Sequence, residues 1–391
     1  MKGLGLYFHI PFCVSKCGYC DFYSLPQTDA SFRQRYVDAL VNHMREYSVQ
    51  TKGYTVTSVY FGGGTPTLLE NEQIKLLMKN IKKFFRLSDN CEISMEANPG
   101  TADYEKFRVM RKSGINRLSL GVQSFNDALL SACGRIHTCD DVYDAVTAAR
   151  KAGFDNISID LMFGLPGQTK ADLLDSLKRA FELEVEHISL YGLKIEEGTP
   201  FWEQRKFLAL PDEDSEGDMY FTAVSFMKQN GYMQYEISNF ARKNHVCRHN
   251  LRYWNADEYI GFGAAAHSYF AGKRFSFKKN AKLYTDALCS ENPSAESIID
   301  EYIDIPPSAR IAEYVMLRFR LNKGIDKEKF RMRFGRDFDS VYYNRLRPFI
   351  QSGHIVETPK GYAFSLGGMY VSNYILSRVV DFDLVIPGLD Q

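Results

Sequence analysis

The first half of the chain alternates short apolar runs with longer amphipathic segments. The apolar runs end in turn residues, which is typical of parallel strands that are covered on both faces. They predict strands at Gly5–His9, Thr57–Phe61, Glu92–Glu96, Arg117–Gly121, Asn156–Leu161 and His187–Leu193. The segments between them predict helices at Ser31–Tyr47, Glu72–Phe85, Asp103–Ser113, Asp140–Lys151 and Lys170–Leu183.

Six such βα units with right-handed crossovers give an α/β protein built on a parallel sheet. The pattern fits either an open Rossmann-like sheet or a curled barrel. Because a closed barrel of this kind has about eight strands, the barrel alternative is a partial (β/α)6 barrel. Both architectures bind ligands at the carboxyl ends of the strands, so polar residues that follow the strands are candidates for a site.

The βα repeat stops near residue 194. A long helix is predicted at Asp214–Gln229, followed by aromatic-rich segments, and Pro306-Pro307 marks a boundary. The remaining order of elements resembles a winged helix: two helices, a hairpin and a last helix. The hairpin strands are His354–Thr358 and Gly361–Phe364, and the last helix is Tyr370–Val379. The predicted domains are a core at residues 1–200, an extension at 201–305 and a winged-helix-like domain at 306–391.

Charge and hydropathy exclude several classes of protein. The 48 basic and 48 acidic residues give a formal net charge of zero, unlike the basic footprint of a nucleic-acid-binding domain or a polybasic membrane patch. No apolar run approaches the ~18 residues of a spanning helix, and the first residues lack the features of a signal peptide. We therefore expect a cytoplasmic protein whose last domain packs against, or interacts with, other protein surfaces.

Three of the eight cysteines lie close together, in Cys13-Val14-Ser15-Lys16-Cys17-Gly18-Tyr19-Cys20. The other five are scattered and are expected to be packing residues. Three thiolates on a short loop suit a [4Fe–4S] cubane, whose fourth iron is then open to a chelating ligand, as in an open catalytic zinc site. A zinc site is the alternative, but zinc motifs usually pair two C-x2-C knuckles and the chain has only one.

The C-x3-C-x2-C spacing, with aromatic Tyr19 before the third cysteine, resembles the radical S-adenosylmethionine (SAM) superfamily. The surrounding motifs resemble one branch of it, the oxygen-independent coproporphyrinogen III oxidases and the related haem chaperones. The resemblance covers nearly the whole chain and implies a partial barrel with a [4Fe–4S] cluster on Cys13, Cys17 and Cys20. It also implies one-electron cleavage of SAM to methionine and a 5′-deoxyadenosyl radical.

Several motifs at the predicted strand ends fit SAM binding. Gly62-Gly63-Gly64-Thr65-Pro66-Thr67 allows close approach of backbone to a ligand, although a tight turn is the alternative. An arginine suits the SAM carboxylate, and acidic or amide side chains suit its amino and ribose groups. By resemblance, the SAM-contacting positions are Tyr7, Tyr19, Gly63, Gly64, Thr65, Glu96, Gln123, Arg135 and Asp160. No residue is assigned a catalytic role.

Three features separate the two functions of this branch. The oxidases carry a fourth cysteine two residues after the third, where this chain has Phe22, and they carry a longer segment before the cluster loop. The sequence His249-Asn250-Leu251-Arg252-Tyr253-Trp254 matches the H-N-x-x-Y-W motif of the haem chaperones. His249 is a candidate axial haem ligand, and Tyr253 and Trp254 are candidates to pack on the macrocycle.

The alternative for His249 is a hydrogen-bonded core histidine, and His245 and Cys247 are rival ligands. We expect the segment to lie near the open end of the barrel if the chain folds back over it. The favoured hypothesis is a haem chaperone that delivers haem to haemoproteins, among them respiratory ones. The alternatives are a coproporphyrinogen III oxidase and a radical SAM protein with an unrelated substrate. Productive SAM cleavage, homodimer formation and peripheral membrane association stay open.

Overall fold

The computed structural model describes residues 2–382 of the chain, and its centre is a sheet of twelve strands. Up to residue 304 the strands are β1 (Lys2–Ile10), β2 (Phe12–Cys13), β3 (Leu25–Pro26), β4 (Tyr54–Gly63), β5 (Leu87–Ala97), β6 (Arg117–Gln123), β7 (Ile157–Phe163), β8 (His187–Gly192), β9 (Met233–Gln234), β10 (Asn239–Ala241), β11 (Tyr259–Phe262), β12 (His267–Phe270), β13 (Lys273–Phe277) and β14 (Ile299–Asp304). The spatial order is β14-β13-β12-β11-β1-β4-β5-β6-β7-β8-β10-β9, and β2 pairs only with β3.

The six predicted strands are confirmed as β1 and β4 to β8, which lie side by side in chain order and pair in parallel. An open Rossmann-like sheet reverses its strand order at a switch point, and no reversal occurs among these six. Crossovers of one hand that advance in one direction place every helix on the same face of the sheet. The partial barrel is therefore the correct alternative.

The helices lie between these strands and beyond them. They are α1 (Ala30–Ser48), α2 (Asn71–Phe84), α3 (Tyr104–Ser113), α4 (Asp127–Ala132), α5 (Cys139–Lys151), α6 (Lys170–Glu182), α7 (Pro200–Gln204), α8 (Glu213–Gln229), α9 (Arg248–Trp254) and α10 (Ala281–Leu288). The five predicted barrel helices and the predicted long helix are confirmed. Side chains such as those of Asp29, Asp103, Thr138 and Thr169 cap the helix amino termini, which explains why the periodic segments begin where they do.

The alternation along β6 shows how the sheet separates core from site. Leu118, Leu120 and Val122 are buried in the main apolar core on the helix-covered face. Arg117, Ser119, Gly121 and Gln123 lie on the opposite face and line a cavity inside the barrel. The period of two in a strand therefore places apolar residues under the helices and polar residues in the interior.

The end of the described chain has its own core. Its elements are α11 (Pro307–Phe319), β15 (Ile325–Asp326), α12 (Lys327–Phe334), α13 (Phe338–Gln351), β16 (Ile355–Thr358), β17 (Gly361–Phe364), α14 (Leu366–Tyr370) and α15 (Ser372–Val379). The predicted hairpin is confirmed as β16 and β17, and β15 adds a third strand beside β17. The winged-helix-like order is confirmed, with β15, α12 and α14 as three short elements that the sequence pattern did not reveal.

No helix among residues 2–382 is long and apolar enough to cross a membrane.

Candidate functional site

A cavity of about 340 Å³ opens at the carboxyl ends of the parallel strands. This volume lies in the range of small-molecule sites. The sequence-predicted residues that line it are Cys13, Cys17, Tyr19, Cys20, Gly63, Gly64, Thr65, Glu96, Gln123, Arg135 and Asp160. Tyr7 lies behind this wall, where its hydroxyl is 3.1 Å from His9 Nδ1 and its ring stacks on Tyr60. The structure therefore brings the predicted cluster and SAM positions to one place.

The loop that carries the three cysteines is held by backbone contacts. Gly18 N–H donates to the Cys133 carbonyl at 3.0 Å, and the Gly18 carbonyl accepts from Phe201 N–H at 2.9 Å. A Cβ at Gly18 would lie 2.4 Å from the Phe201 ring. Tyr19 meets the same ring edge to face at 6.4 Å. A glycine between Cys17 and Tyr19 thus lets the loop lie directly on α7.

The three thiols have the chemistry that an iron–sulfur cluster requires. All three are free and partly exposed. Burial raises the pKa of Cys13 and raises that of Cys20 to about 11, so bound iron would be needed to hold both as thiolates. Among residues 2–382 no three His, Cys, Asp or Glu side chains converge on a single metal ion. A cubane does not require this, because each thiolate binds a different iron. The donor set therefore fits a cluster better than one zinc ion.

The glycine loop after β4 packs against the start of the cysteine loop. Gly64 N–H donates to the Ile10 carbonyl at 2.9 Å, and Thr65 N–H donates to the Phe12 carbonyl at 2.7 Å. A Cβ at Gly64 would lie 2.6 Å from the Phe12 oxygen, and Gly63 has φ of +108°. These glycines therefore allow the loop after β4 and the segment at the start of the cysteine loop to approach closely at the cavity edge.

Two partly buried carboxyl groups face the cavity from β5 and β7, the strands on either side of β6. Glu96 Oε1 accepts from the Tyr60 hydroxyl at 2.8 Å, and Oε2 accepts from Gly63 N–H at 3.1 Å. Asp160 accepts from Ser119 Oγ at 3.2 Å. Burial, together with repulsion from Asp160, raises the pKa of Glu96 to about 7, and burial also raises the pKa of Asp160. Both groups gain from a cationic or hydrogen-bond-donating ligand.

Arg135 reaches the cysteine loop from the segment after α4. Its Nη1 is 3.5 Å from Cys17 Sγ, and its Nη2 donates to Asn98 Oδ1 at 2.7 Å and also to the Gly121 carbonyl. Its buried Nε has no protein partner, so the guanidinium retains a donor for a ligand. Asn98 was missed by sequence reasoning, although it follows Glu96 at the same strand end.

Gln123 ends β6 with φ of +69°, a conformation that non-glycine residues rarely adopt. Its side chain lines the cavity. Local backbone strain of this kind clusters at ligand sites, which agrees with the predicted contact position. Arg117 and His187, which the sequence pattern did not single out, line the deeper part of the cavity.

The segment His249–Trp254 lies on α9, which closes the other end of the barrel. Arg252 donates to the Gly3 carbonyl and to Thr57 Oγ1, both at 2.7 Å, near the amino ends of β1 and β4. The expectation that this segment lies near the open end is therefore wrong. Asn250 lines the cavity, so α9 contributes its floor, whereas His249, Tyr253 and Trp254 are not in the lining.

His249 is a buried residue with both ring nitrogens engaged. It is 1 % exposed, its Nδ1 is 2.9 Å from Ser58 Oγ, and its Nε2 is 2.8 Å from the Tyr253 hydroxyl. The ring stacks on Tyr60 at 5.3 Å, and burial lowers its pKa to about 3. The amino end of α9 is held by Glu92, which accepts from His249 N–H at 3.0 Å. Haem ligation by this imidazole would require α9 to move.

The remaining haem candidates and rival ligands lie around α9. Trp254 is half-buried under the guanidinium of Arg320, 4.9 Å from its ring, and its indole N–H has no hydrogen-bond partner among residues 2–382. Cys247 is fully buried, with its thiol 3.7 Å from Glu92, which agrees with a packing role. Among the other scattered cysteines, Cys91 and Cys133 are buried but Cys289 is exposed, so the packing expectation is wrong for Cys289.

Comparisons with known proteins agree with this geometry. Residues 7–180 match the family model of the radical SAM superfamily, and residues 305–371 match that of the HemN C-terminal domain. The heme chaperone HemW of Bacillus subtilis is 36% identical over 94% of this chain and 97% of its own length. That of Escherichia coli is 33% identical over 95% and 97%.

A solved structure of coproporphyrinogen III oxidase (HemN) from Escherichia coli, a radical SAM enzyme, is also similar. It superposes with a TM-score of 0.85 at 25% identity and covers 97% of this chain and 91% of its own. The fold is thus shared with a coproporphyrinogen III oxidase. The sequence similarity over nearly the full length is to the heme chaperones. The chain belongs to the HemW family of the radical SAM superfamily.

Proposed function

We propose that the chain holds a [4Fe–4S] cluster on Cys13, Cys17 and Cys20 and binds SAM beside it. The observation that supports this is the convergence of three free thiols with the predicted SAM positions around one cavity. When bound, the cluster and SAM supply one-electron, radical chemistry. The open coordination position follows from the three-thiolate donor set.

The cavity residues would bind and orient SAM by charge. Glu96 and Asp160 are acceptors for the amino and ribose groups, and Arg135 is a donor for the carboxylate. Tyr19 and the Gly63–Thr65 loop close the cavity edge beside the cysteines. Part of the cavity wall is buried, including Thr65, Arg117 and Ser119, and charged hydrogen bonds are stronger away from bulk water. We assign these residues to binding and none to proton transfer.

We further propose that the protein is a haem-binding chaperone that hands haem to haemoproteins, including respiratory ones, in the cytoplasm. The single observation that carries this function is the similarity to heme chaperones over 94–95% of the chain. On the cluster loop, exposed Phe22 stands where the oxidase pattern has its fourth cysteine, and this difference disfavours oxidase chemistry.

For haem we propose the segment His249–Trp254, as the sequence predicts. Trp254 is half-buried under Arg320 as the protein stands, whereas His249 becomes a ligand only if α9 separates from Ser58 and Tyr60. Burial of a porphyrin face against aromatic surface is favourable by about 25 cal/mol per Å² before association costs. An opened α9 would offer Tyr253 and Trp254 for this contact.

The experiment is an anaerobic haem titration of the reconstituted protein, followed by absorption. The Trp254→Ala variant should weaken binding with little change in the Soret band, and Cys247→Ser, which tests thiolate ligation, should bind as the wild type does. A Cys17→Ala variant should lose the cluster. Full haem affinity in a protein that lacks both His249 and Trp254 would contradict the proposed haem site, and a full cluster in Cys17→Ala would contradict the proposed cluster ligands.

A further inference from the structure

A continuous chain of hydrogen bonds connects two of the three cysteines across the cavity edge. Arg135 Nη1 is 3.5 Å from Cys17 Sγ, and Nη2 is 2.7 Å from Asn98 Oδ1. Asn98 Nδ2 is 2.9 Å from Thr65 Oγ1, which is 3.8 Å from Cys13 Sγ. We call Arg135, Asn98 and Thr65 the Asn98 bridge.

Chemistry fixes the direction of the bonds along the Asn98 bridge when Cys13 is a cluster thiolate. A guanidinium can only donate, so the Asn98 atom that faces Arg135 must be the carbonyl oxygen. The amide nitrogen then faces Thr65 and donates to its hydroxyl oxygen. A cluster thiolate at Cys13 can only accept, so the Thr65 hydroxyl donates to it. Bonds aligned in one direction polarise one another, so both sulfurs receive hydrogen bonds that originate at one cation.

The surrounding backbone holds Asn98 in this orientation. The main-chain N–H of Asn98 donates to Thr101 Oγ1 at 3.2 Å, and the Thr101 hydroxyl donates to the main-chain carbonyl of Asn98 at 2.6 Å. On the other side, a Cβ at Gly121 would lie 2.7 Å from Asn98 Oδ1. The turn at Thr101 therefore holds the Asn98 backbone, and the lack of a side chain at Gly121 leaves room for the Asn98 amide.

We propose that Asn98 is a positioning residue for the iron–sulfur site: it orients Arg135 and Thr65 so that each donates to a cluster cysteine, and thereby raises the reduction potential of the cluster. The inference rests on the cluster assignment in the proposed function. Hydrogen bonds to the sulfurs, and a nearby cation, stabilise the reduced and more negatively charged state. Cys20 lies outside the bridge, so it gains none of this effect.

The test is the midpoint potential of the reconstituted full-length protein without SAM and without haem. It is measured by an anaerobic dye-mediated titration, with EPR of the reduced cluster as the readout. Asn98→Ala and Thr65→Val should each shift the potential downward. Thr65→Ser retains the hydroxyl and should restore the wild-type value. Asn98→Asp should also shift it downward, because a carboxylate would accept the Thr65 proton and turn it away from Cys13.

Iron content is measured first, because it separates the two levels of the proposal. A wild-type protein that takes up no cluster contradicts the proposed function itself. Wild-type potentials in fully loaded Asn98→Ala and Thr65→Val proteins contradict only the role of the Asn98 bridge. If Asn98→Ala does not retain its cluster, the Thr65→Val and Thr65→Ser pair decides, because valine matches threonine in size and leaves the Asn98–Arg135 contact intact.

Discussion

Replacing His249 by alanine tests whether the imidazole is a structural residue or an available haem ligand. The ring is 1 % exposed and bonds to Ser58 and Tyr253. Its removal leaves the buried Ser58 hydroxyl without this partner, at about 1–3 kcal/mol for an unsatisfied buried group, and opens a void beside Tyr60. With the cavity included, we expect His249→Ala to lower the free energy of unfolding by about 3–5 kcal/mol.

The assay is urea unfolding of the cluster-free protein, followed by far-UV circular dichroism at pH 7.5. Ser58→Ala is the matched control, because it removes one of the two hydrogen bonds and leaves the ring packed on Tyr60. It should cost about 1–3 kcal/mol, because the buried His249 Nδ1 loses this partner while the ring stays packed. In the double variant the two effects should fall short of additivity, because Ser58 and His249 contact each other directly.

A destabilisation below about 1 kcal/mol for His249→Ala would refute this reasoning. It would mean that α9 readily separates from β4 and that the imidazole is available to haem. Haem affinity measured on the same proteins completes the comparison. If His249 is an axial ligand, its replacement should change the Soret band without a loss of stability. If His249 is a structural residue, its replacement should lower the stability first.

Three further predictions concern the same barrel. Burial raises the pKa of Glu96 to about 7, and its ionised carboxylate is the proposed acceptor for SAM. SAM affinity measured by calorimetry should therefore be about tenfold weaker at pH 6 than at pH 8. Glu96→Gln should abolish this pH dependence. Burial lowers the pKa of His43, His187 and His249, so these histidines take up protons in the unfolded state at a higher pH than in the folded state. The urea midpoint should therefore fall as the pH drops below about 6.5. A midpoint that stays unchanged down to pH 5 would contradict the burial of these histidines. Gly64→Ala places a methyl group against two backbone oxygens, so the reconstituted variant should hold much less iron than the wild type; a full iron complement would contradict the close loop packing.

The barrel could be predicted from sequence because its strands are apolar runs and its helices are periodic and capped. The cluster and SAM positions could be placed together because they follow predicted parallel strands, and such strands end at one edge of the sheet. Asn98 was missed because an amide after a strand looks like a turn residue, and only the structure shows that it spans from Arg135 to Thr65.

The second half of the chain was harder to predict. The strands β11 to β14 are short, and only β11 pairs directly with β1. This pairing depends on long-range contacts that a local pattern does not contain. The location of α9 depends on Glu92 at its amino end and on Arg252 at the base of β1 and β4. For this reason the sequence identified the His249–Trp254 motif but did not reveal that His249 is buried.

The central claim is that this protein binds haem and passes it on, instead of oxidising a porphyrinogen. The most direct measurement is anaerobic incubation of the reconstituted, SAM-supplied protein in two parallel reactions, one with haem followed by an apo-haemoprotein such as apomyoglobin, and one with coproporphyrinogen III. We predict a haem-loaded protein whose Soret band moves to that of the acceptor, and no protoporphyrinogen IX. Catalytic formation of protoporphyrinogen IX by a protein that neither binds nor transfers haem would contradict it.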